Sequence, residues 1–252
     1  MKTPKAVFLD VGWTLTYPSK SMWQIFAAVC REAGSDRTAG DIEKGVHEFL
    51  TSRRSEAVRE FEAGAEYPDS DADFLSIFLG MGRLVFGFAG LDSENHEALA
   101  GRFLELFWDR TNWAVFPDVL PAIERLRSRG IRVGVISNAS SELVEFLKKI
   151  DLFPSFDFVC VSAIEGIRKP DRRIYQRALE RAAVAPSEAV HVGDMFLEDV
   201  LGPRKTGIRP FLMDRGPRSM FPHHPEAVDP VRQPAIEIVH ALDEVLEALG
   251  IH

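Results

Sequence analysis

The run Ala6-Val7-Phe8-Leu9-Asp10-Val11-Gly12-Trp13-Thr14-Leu15 opens on four consecutive apolar residues. The four are too few for a helix and show no alternation. They predict a short strand buried on both faces, with Asp10 at its carboxyl end.

The same pattern returns downstream. Val133-Gly134-Val135-Ile136 leads into Ser137-Asn138, and Phe158-Val159-Cys160-Val161 forms a third run. Val190-His191-Val192 leads into Gly193-Asp194, and Phe211-Leu212-Met213 reads as a last strand. His191, inside such a strand, reads as a core residue. Helical stripes separate the runs: Leu120, Ile123 and Leu126, ending at Gly130, then Leu143, Phe146, Leu147 and Ile150. Another helix is expected to open at Pro170, where proline's fixed φ suits a first turn. A closing helix is expected to hold Ile236, Ile238, Val239, Leu242, Val245, Leu246 and Leu249. Solid apolar strands alternating with helices predict an α/β fold, a Rossmann-like doubly wound parallel sheet. In such sheets ligands bind outside the carboxyl ends of the strands, where Asp10, Ser137, Lys169 and Asp194 gather.

Between residues 21 and 110 the periodicity is helical only. Met22, Ile25, Phe26, Val29 and Cys30 give one stripe, and Ile42, Val46, Phe49 and Leu50 a second. Phe74, Ile77, Phe78 and Met81 give a third behind Asp71, and Leu99, Phe103 and Phe107 a fourth behind Ser93, both read as N-caps. The domain reading is a core of residues 1–16 and 114–252, with a helical bundle inserted at 17–113. That insert carries ten basic and seventeen acidic residues, nearly all of the net charge of −8. An acidic surface excludes a nucleic-acid partner, which needs clustered Lys and Arg. Gly216 to Pro234, with His223 and His224, reads as an irregular loop.

Hydrophobic residues at 46% exclude disorder as the main state, and two unrelated cysteines exclude a disulfide scaffold or thiolate zinc site. The N-terminal apolar run ends in an aspartate, so it is no signal peptide, and no run approaches the ~18 residues of a membrane span. The expectation is a cytoplasmic protein with no membrane partner, as monomer or homodimer.

Carboxylates converging at one sheet edge repel unless a cation lies between them. Oxygen ligands without thiolates suit Mg²⁺. Asp194 and Asp199 have the spacing GDxxxxD, Lys169 adds a second positive charge, and Ser137 a hydroxyl. The stretch from Asn138 to Ser141 is expected to open a helix whose free N–H groups favour an anion. An anion site beside a metal and a carboxylate is what phosphoryl transfer requires, with Asp10 able to attack phosphorus.

These segments, in this order, resemble the motifs of the haloacid dehalogenase-like (HAD) superfamily: DVGWT at 10–14, ISN at 136–138, GIRKPDRRIY at 166–175 and HVGDMFLED at 191–199. The insert sits where that family carries a helical cap. The resemblance implies Asp10 as nucleophile and magnesium ligand, with the Gly12 carbonyl facing the metal. It implies that Asp194 binds magnesium directly, with Asp199 as ligand or support. Ser137 and the Asn138 N–H would hold the transferring group, Lys169 would neutralise the nucleophile, and Thr14, set with the substrate-binding residues, would stabilise the turn after Asp10. The substrate class implied is a small phosphorylated metabolite.

One departure stands out. Phosphatases of this family usually carry a second aspartate, the general acid and base, where this chain has Gly12, and a glycine where it has Trp13. The alternatives are therefore a 2-haloacid dehalogenase-type hydrolase, or a non-catalytic protein that binds a phosphate ligand.

Overall fold

The computed structural model describes residues 3–218 and 236–251; for residues 50–55 and for Arg110 it describes the backbone only. The loop expected at 216–234 lies outside these residues, His223 and His224 included, except for a 3₁₀ turn at Gly216–Arg218. The chain forms two compact units. The first comprises Met1–Tyr17, Glu66–Asp71 and Val115–His252, the second Pro18–Ala65 and Ala72–Ala114. Glu66–Asp71 falls in the middle of the stretch expected for the inserted bundle, yet it belongs to the first unit.

The first unit holds a six-stranded parallel sheet. Its strands are β1 (Ala6–Leu9), β4 (Arg132–Ser137), β5 (Phe158–Val161), β6 (Ala189–Gly193), β7 (Arg209–Met213) and β8 (Glu237–Val239), in the order β5-β4-β1-β6-β7-β8. Counted along the sheet's own strands this is 3-2-1-4-5-6, the Rossmann order, which reverses direction between β1 and β6. The expected strand after residue 5 is fully buried. Its partners are β4, with Leu9 opposite Val135, and β6, with Leu9 opposite Val192.

Helices cover the sheet. α8 (Arg172–Ala182) buries Ile174, Tyr175, Ala178 and Leu179 against Ala6, Phe8, Ile136 and Cys160. α5 (Val119–Ser128) packs on β4 and on α10 (Leu242–Ala248). α6 (Leu143–Lys149), α7 (Ser162–Glu165) and α9 (Gly202–Thr206) complete the unit.

Two expectations here need correction. Pro170 does not open α8. It follows a cis Lys169–Pro170 bond, and the helix starts after Asp171, whose side chain accepts from the Arg173 N–H at 2.9 Å. The expected closing helix is two elements. Glu237–Val239 is an edge strand in which Ile238 is exposed and Val239 buried, paired with β7 through Met213 opposite Val239. Its alternation merged with the helical stripe that follows.

The second unit is helical: α1 (Met22–Glu32), α2 (Ala39–Glu62), α3 (Asp71–Phe88, its first residue counted with the first unit) and α4 (His96–Phe107). Short strands β2 (Thr16–Pro18) and β3 (Trp113–Val115) pair where the chain passes between the units. Ser21 and Gln24 form a capping box before α1, whose expected stripe is buried throughout. Phe26 stacks on Phe103 at 3.8 Å and meets Phe86 edge-on at 5.8 Å, giving the unit an aromatic core. On α3 the buried residues are Gly82, Val85 and Phe86, while Ile77 on the expected stripe is exposed, as is Phe49 on α2. Ser93 caps no helix. It begins a 3₁₀ turn, and α4 starts at His96 without a side-chain cap.

The turn after β1 is tied down from a distant part of the sequence. Arg215 donates from Nη2 to the Thr14 carbonyl at 2.7 Å and from Nη1 to Asp118 at 2.9 Å, with its guanidinium 4.1 Å above the Phe116 ring. Asp118 also accepts from the Leu242 N–H at 2.7 Å, which fixes the start of α10. The Arg215 side chain is 4% exposed. Breaking a buried ion pair from one side typically costs about 3–5 kcal/mol, so Arg215→Ala should lower unfolding stability by that order in urea titrations. A loss below about 1 kcal/mol would show that the turn is held by other contacts.

Candidate active site

The carboxyl ends of β1 and β6 flank the point where the strand order reverses, so Asp10 and Asp194 face one crevice. Lys169 enters from the loop before α8. Its Nζ lies 2.7 Å from Asp10 Oδ1 and 2.7 Å from Asp199 Oδ1, and its side chain is 2% exposed. Asp10, Asp194 and Asp199 each offer an oxygen within 4.8 Å of the others. Asp194 is half-buried, Asp10 nearly buried and Asp199 wholly so.

This crowding sets the ionisation of each group. Burial would lower the Lys169 ammonium, but Asp10 and Asp199 outweigh it and hold it well above the ordinary lysine range. Burial pushes the Asp10 carboxyl up, against Lys169, which pulls it down. Asp194 is raised by burial, then by Asp10 and Asp199. Asp199 is the exception: burial would raise it, but Lys169 and a bond from His191 hold it well below the usual carboxylate range. Among these groups Lys169 is one cation against three carboxylates.

Asp199 lies on a π-helical turn, Phe196–Leu201, a form frequent at functional sites. Its approach to β6 requires Gly193. A Cβ there would overlap the Asp199 carboxyl. The turn is also held by Tyr175, whose hydroxyl donates to the Glu198 carbonyl.

Ser137 ends β4 beside β1, at the same sheet edge as Asp10, and is nearly buried. Asn138 does more than sequence reasoning assigned to it. Its side chain donates to the Lys169 carbonyl at 2.9 Å and accepts from the Lys169 N–H at 2.8 Å, clamping that residue's backbone. Thr14 is fully buried, and its hydroxyl has no hydrogen-bond partner among the described residues. Its carbonyl serves the turn, through Arg215.

The anion-binding helix start expected at Asn138 to Ser141 is not formed there. α6 begins at Leu143, the Ala139 N–H donates to Ser162 Oγ at 2.9 Å, and the Ser141 N–H to Asp71 Oδ1 at 2.7 Å. Two of the expected free donors are therefore used within the protein. Asp71 also accepts from the Ser141 hydroxyl at 2.7 Å, and the Arg168 N–H donates to the Tyr67 carbonyl at 2.9 Å. The segment Glu66–Asp71 thus braces both the loop after Ser137 and the loop before Lys169. No signal in its sequence marks it for that.

Gly12 is half-buried, and a Cβ built on it meets nothing within 4 Å. Trp13, at the next position, has φ +53°, in the left-handed region that glycine adopts most easily.

Residues 4–207 match the haloacid dehalogenase-like hydrolases. The haloacid dehalogenase-like hydrolase domain-containing protein 3 of Danio rerio is 29% identical over 217 residues, covering 85% of this chain and 87% of its own. The glyceraldehyde 3-phosphate phosphatase of Methanopyrus kandleri is 30% identical over 217 residues, covering 84% of each. The crystal structure of a putative HAD-hydrolase from Bacillus subtilis bound to magnesium shares the fold, with a TM-score of 0.71 at 17% identity over 99% of this chain and 100% of that one.

Two measurements check this geometry. Gly193→Ala should destabilise the protein by about 1–3 kcal/mol by overpacking. Gly12→Ala should stay within about 0.5 kcal/mol of wild type in the same unfolding titration. Equal effects would mean that Asp199 is not packed on β6. The second is a pH profile. Burial and the neighbouring Asp199 push the half-buried Glu198 carboxyl up to about 7. An unfolded glutamate titrates near ~4.3, so between the two values the folded state holds a proton the unfolded state has lost. With divalent metal chelated, this stabilising contribution should be complete below ~4.3 and fade as pH rises through about 7. Glu198→Gln should flatten that part of the curve, and an unchanged curve would show that Glu198 does not cause it.

Proposed function

The chain belongs to the haloacid dehalogenase-like hydrolase family, and we propose that within it the protein hydrolyses small phosphomonoesters through Asp10. The observation that carries this reading is the buried Lys169 ammonium, 2.7 Å from Asp10, at the crevice where Asp194 also faces. An anionic nucleophile can approach an anionic phosphate only where fixed positive charge offsets both. The similarity to a glyceraldehyde 3-phosphate phosphatase supports the substrate class. The acidic insert disfavours large polyanions.

An Asp10 oxygen attacks phosphorus, and the bond from phosphorus to the ester oxygen breaks. The ester oxygen leaves as an oxyanion and takes its proton from solvent water. Water then attacks phosphorus in the aspartyl-phosphate, which frees the Asp10 carboxylate and releases phosphate. Lys169 holds the Asp10 carboxylate in place and offsets its charge. Ser137 and the Asn138 N–H receive phosphate oxygens.

The donor set fits magnesium. Three carboxylates within 4.8 Å exceed what one lysine balances, and the oxygens come without thiolates. Asp10, the Gly12 carbonyl and Asp194 would hold the ion. When bound, magnesium would supply positive charge to the transferring phosphate oxygens.

Gly12 leaves no carboxyl to protonate the departing alcohol. Turnover should therefore depend steeply on the leaving group, with aryl phosphates hydrolysed well and alkyl phosphates poorly. The open space at Gly12 admits a side chain, so Gly12→Asp should raise alkyl phosphate turnover, by up to about 10²- to 10⁴-fold. Asp10→Asn should abolish hydrolysis, and Asp194→Asn should weaken magnesium binding in calorimetry. The test is phosphate and halide release from phosphomonoesters and 2-haloacids, with magnesium or with chelator. Halide release that persists in chelator, without phosphate release, would establish the dehalogenase alternative instead. Fast, equal turnover of alkyl and aryl phosphates by wild type would show that another group supplies the proton.

A further inference from the structure

Asp199 is almost fully committed to the protein. Its Oδ1 accepts from Lys169 Nζ and from His191 Nε2, both at 2.7 Å, and its Oδ2 accepts from the Met195 N–H at 2.9 Å. A carboxylate offers about four acceptor sites, so three are taken, and Asp199 is 0% exposed. Asp194, by contrast, is half-buried at the sheet edge.

His191 is an expensive residue for its place. It lies in the centre of β6, between Phe8 of β1 and Pro210 of β7, and is 0% exposed. Asp199 Oδ1 is an acceptor, so Nε2 carries the ring hydrogen. Nδ1 is then a buried acceptor with no hydrogen-bond partner among the described residues. An aliphatic side chain would avoid that unmet polar atom in a strand that is otherwise Ala189, Val190, Val192 and Gly193. The Tyr175 ring stands edge-on to the imidazole at 5.9 Å. What the imidazole gains for the protein is the one bond to Asp199, made from a rigid strand rather than from a loop.

We propose that His191 is a positioning residue. By donating to Asp199 it holds that carboxylate on Lys169, so Asp199 acts as the anchor of Lys169 and not as a magnesium ligand. This rests on the phosphatase reading for its kinetic consequence, though not for its geometry.

Three variants and two further readouts test it. His191→Gln places an amide nitrogen near the position of Nε2, His191→Asn places one near Nδ1, and His191→Leu has none. The glutamine variant should rescue, with kcat for an aryl phosphate within about threefold of wild type, whereas asparagine and leucine should lower kcat tenfold or more at unchanged KM. Should the leucine variant fail to fold, glutamine against asparagine decides. Calorimetry should show magnesium affinity unchanged in His191→Asn and Asp199→Asn, and lost in Asp194→Asn. Long-range ¹H–¹⁵N spectra of wild type should show the His191 hydrogen on Nε2. Equal kcat in all three variants would overturn the proposal. So would loss of magnesium binding in Asp199→Asn to the extent seen in Asp194→Asn, or a ring hydrogen on Nδ1. If wild type hydrolyses no phosphomonoester, the phosphatase reading fails alone, and the calorimetry and spectra still decide the anchor.

Discussion

A single ammonium, Lys169 Nζ, sits between two carboxylates with almost no water around it. Burying three charges is costly, and their mutual attraction offsets this only when the geometry is close and the remaining polar atoms are satisfied. The surrounding structure meets both conditions. Asn138 clamps the Lys169 backbone with two hydrogen bonds, and Asp171 caps the helix that follows. Gly193 leaves room for Asp199, and His191 with the Met195 N–H takes up two more of its acceptor sites. Remove the lysine, and Asp10 and Asp199 are left as unpaired negative charges in the same low-dielectric space. The ion triad is therefore a weak source of stability and a strong constraint on position.

The sheet order explains how residues so far apart in sequence reach that position. The chain runs outward from β1 to β4 and β5, then returns to place β6 on the other side of β1. The loops that leave β1 and β6 must turn in opposite directions, which opens a crevice above the two strand ends. Asp10 and Asp194 stand on its two sides because each is the first residue past its strand. Lys169 comes from the connection between β5 and β6, which has to cross back over this edge.

Much of this was legible in the sequence because a strand buried on both faces must be continuously apolar, and a carboxylate that ends such a run marks the sheet edge. Asp10 and Asp194 are found that way, and Ser137 as the polar residue that ends a third such run. The illegible parts depend on pairings that leave no periodicity. Val239 faces the core and Ile238 the solvent, a two-residue alternation that reads equally well as part of a helical stripe. Asp71 resembles an N-cap in sequence but spends both oxygens on Ser141, seventy residues on. Arg215 reaches the Thr14 carbonyl over two hundred residues, and an arginine just after β7 gives no hint of it. His191 was legible as a core residue, but its bond to Asp199 needs the π-helical turn that only the folded chain reveals.

Gly12 and Trp13 show how backbone and chemistry can be told apart at one turn. Glycine is ordinarily required where φ is positive or where a Cβ has no room. Here the positive φ belongs to Trp13, at a cost of about 1–2 kcal/mol for a side chain in the left-handed region, while Gly12 has neither requirement. The turn holds Trp13 in that strained form because both of its ends are fixed, Asp10 by its N–H bond to Val192 and Thr14 by Arg215. Nothing in the fold, then, asks for a glycine at 12. Its consequence is chemical: beside Asp10 there is open volume instead of a carboxyl group, and whatever proton the leaving group needs must come from water, the substrate or another side chain. On the phosphatase proposal, a site with that open volume beside Asp10 draws the leaving group's proton from elsewhere, so the leaving group's own chemistry, more than any strand or helix, would set which substrates it turns over.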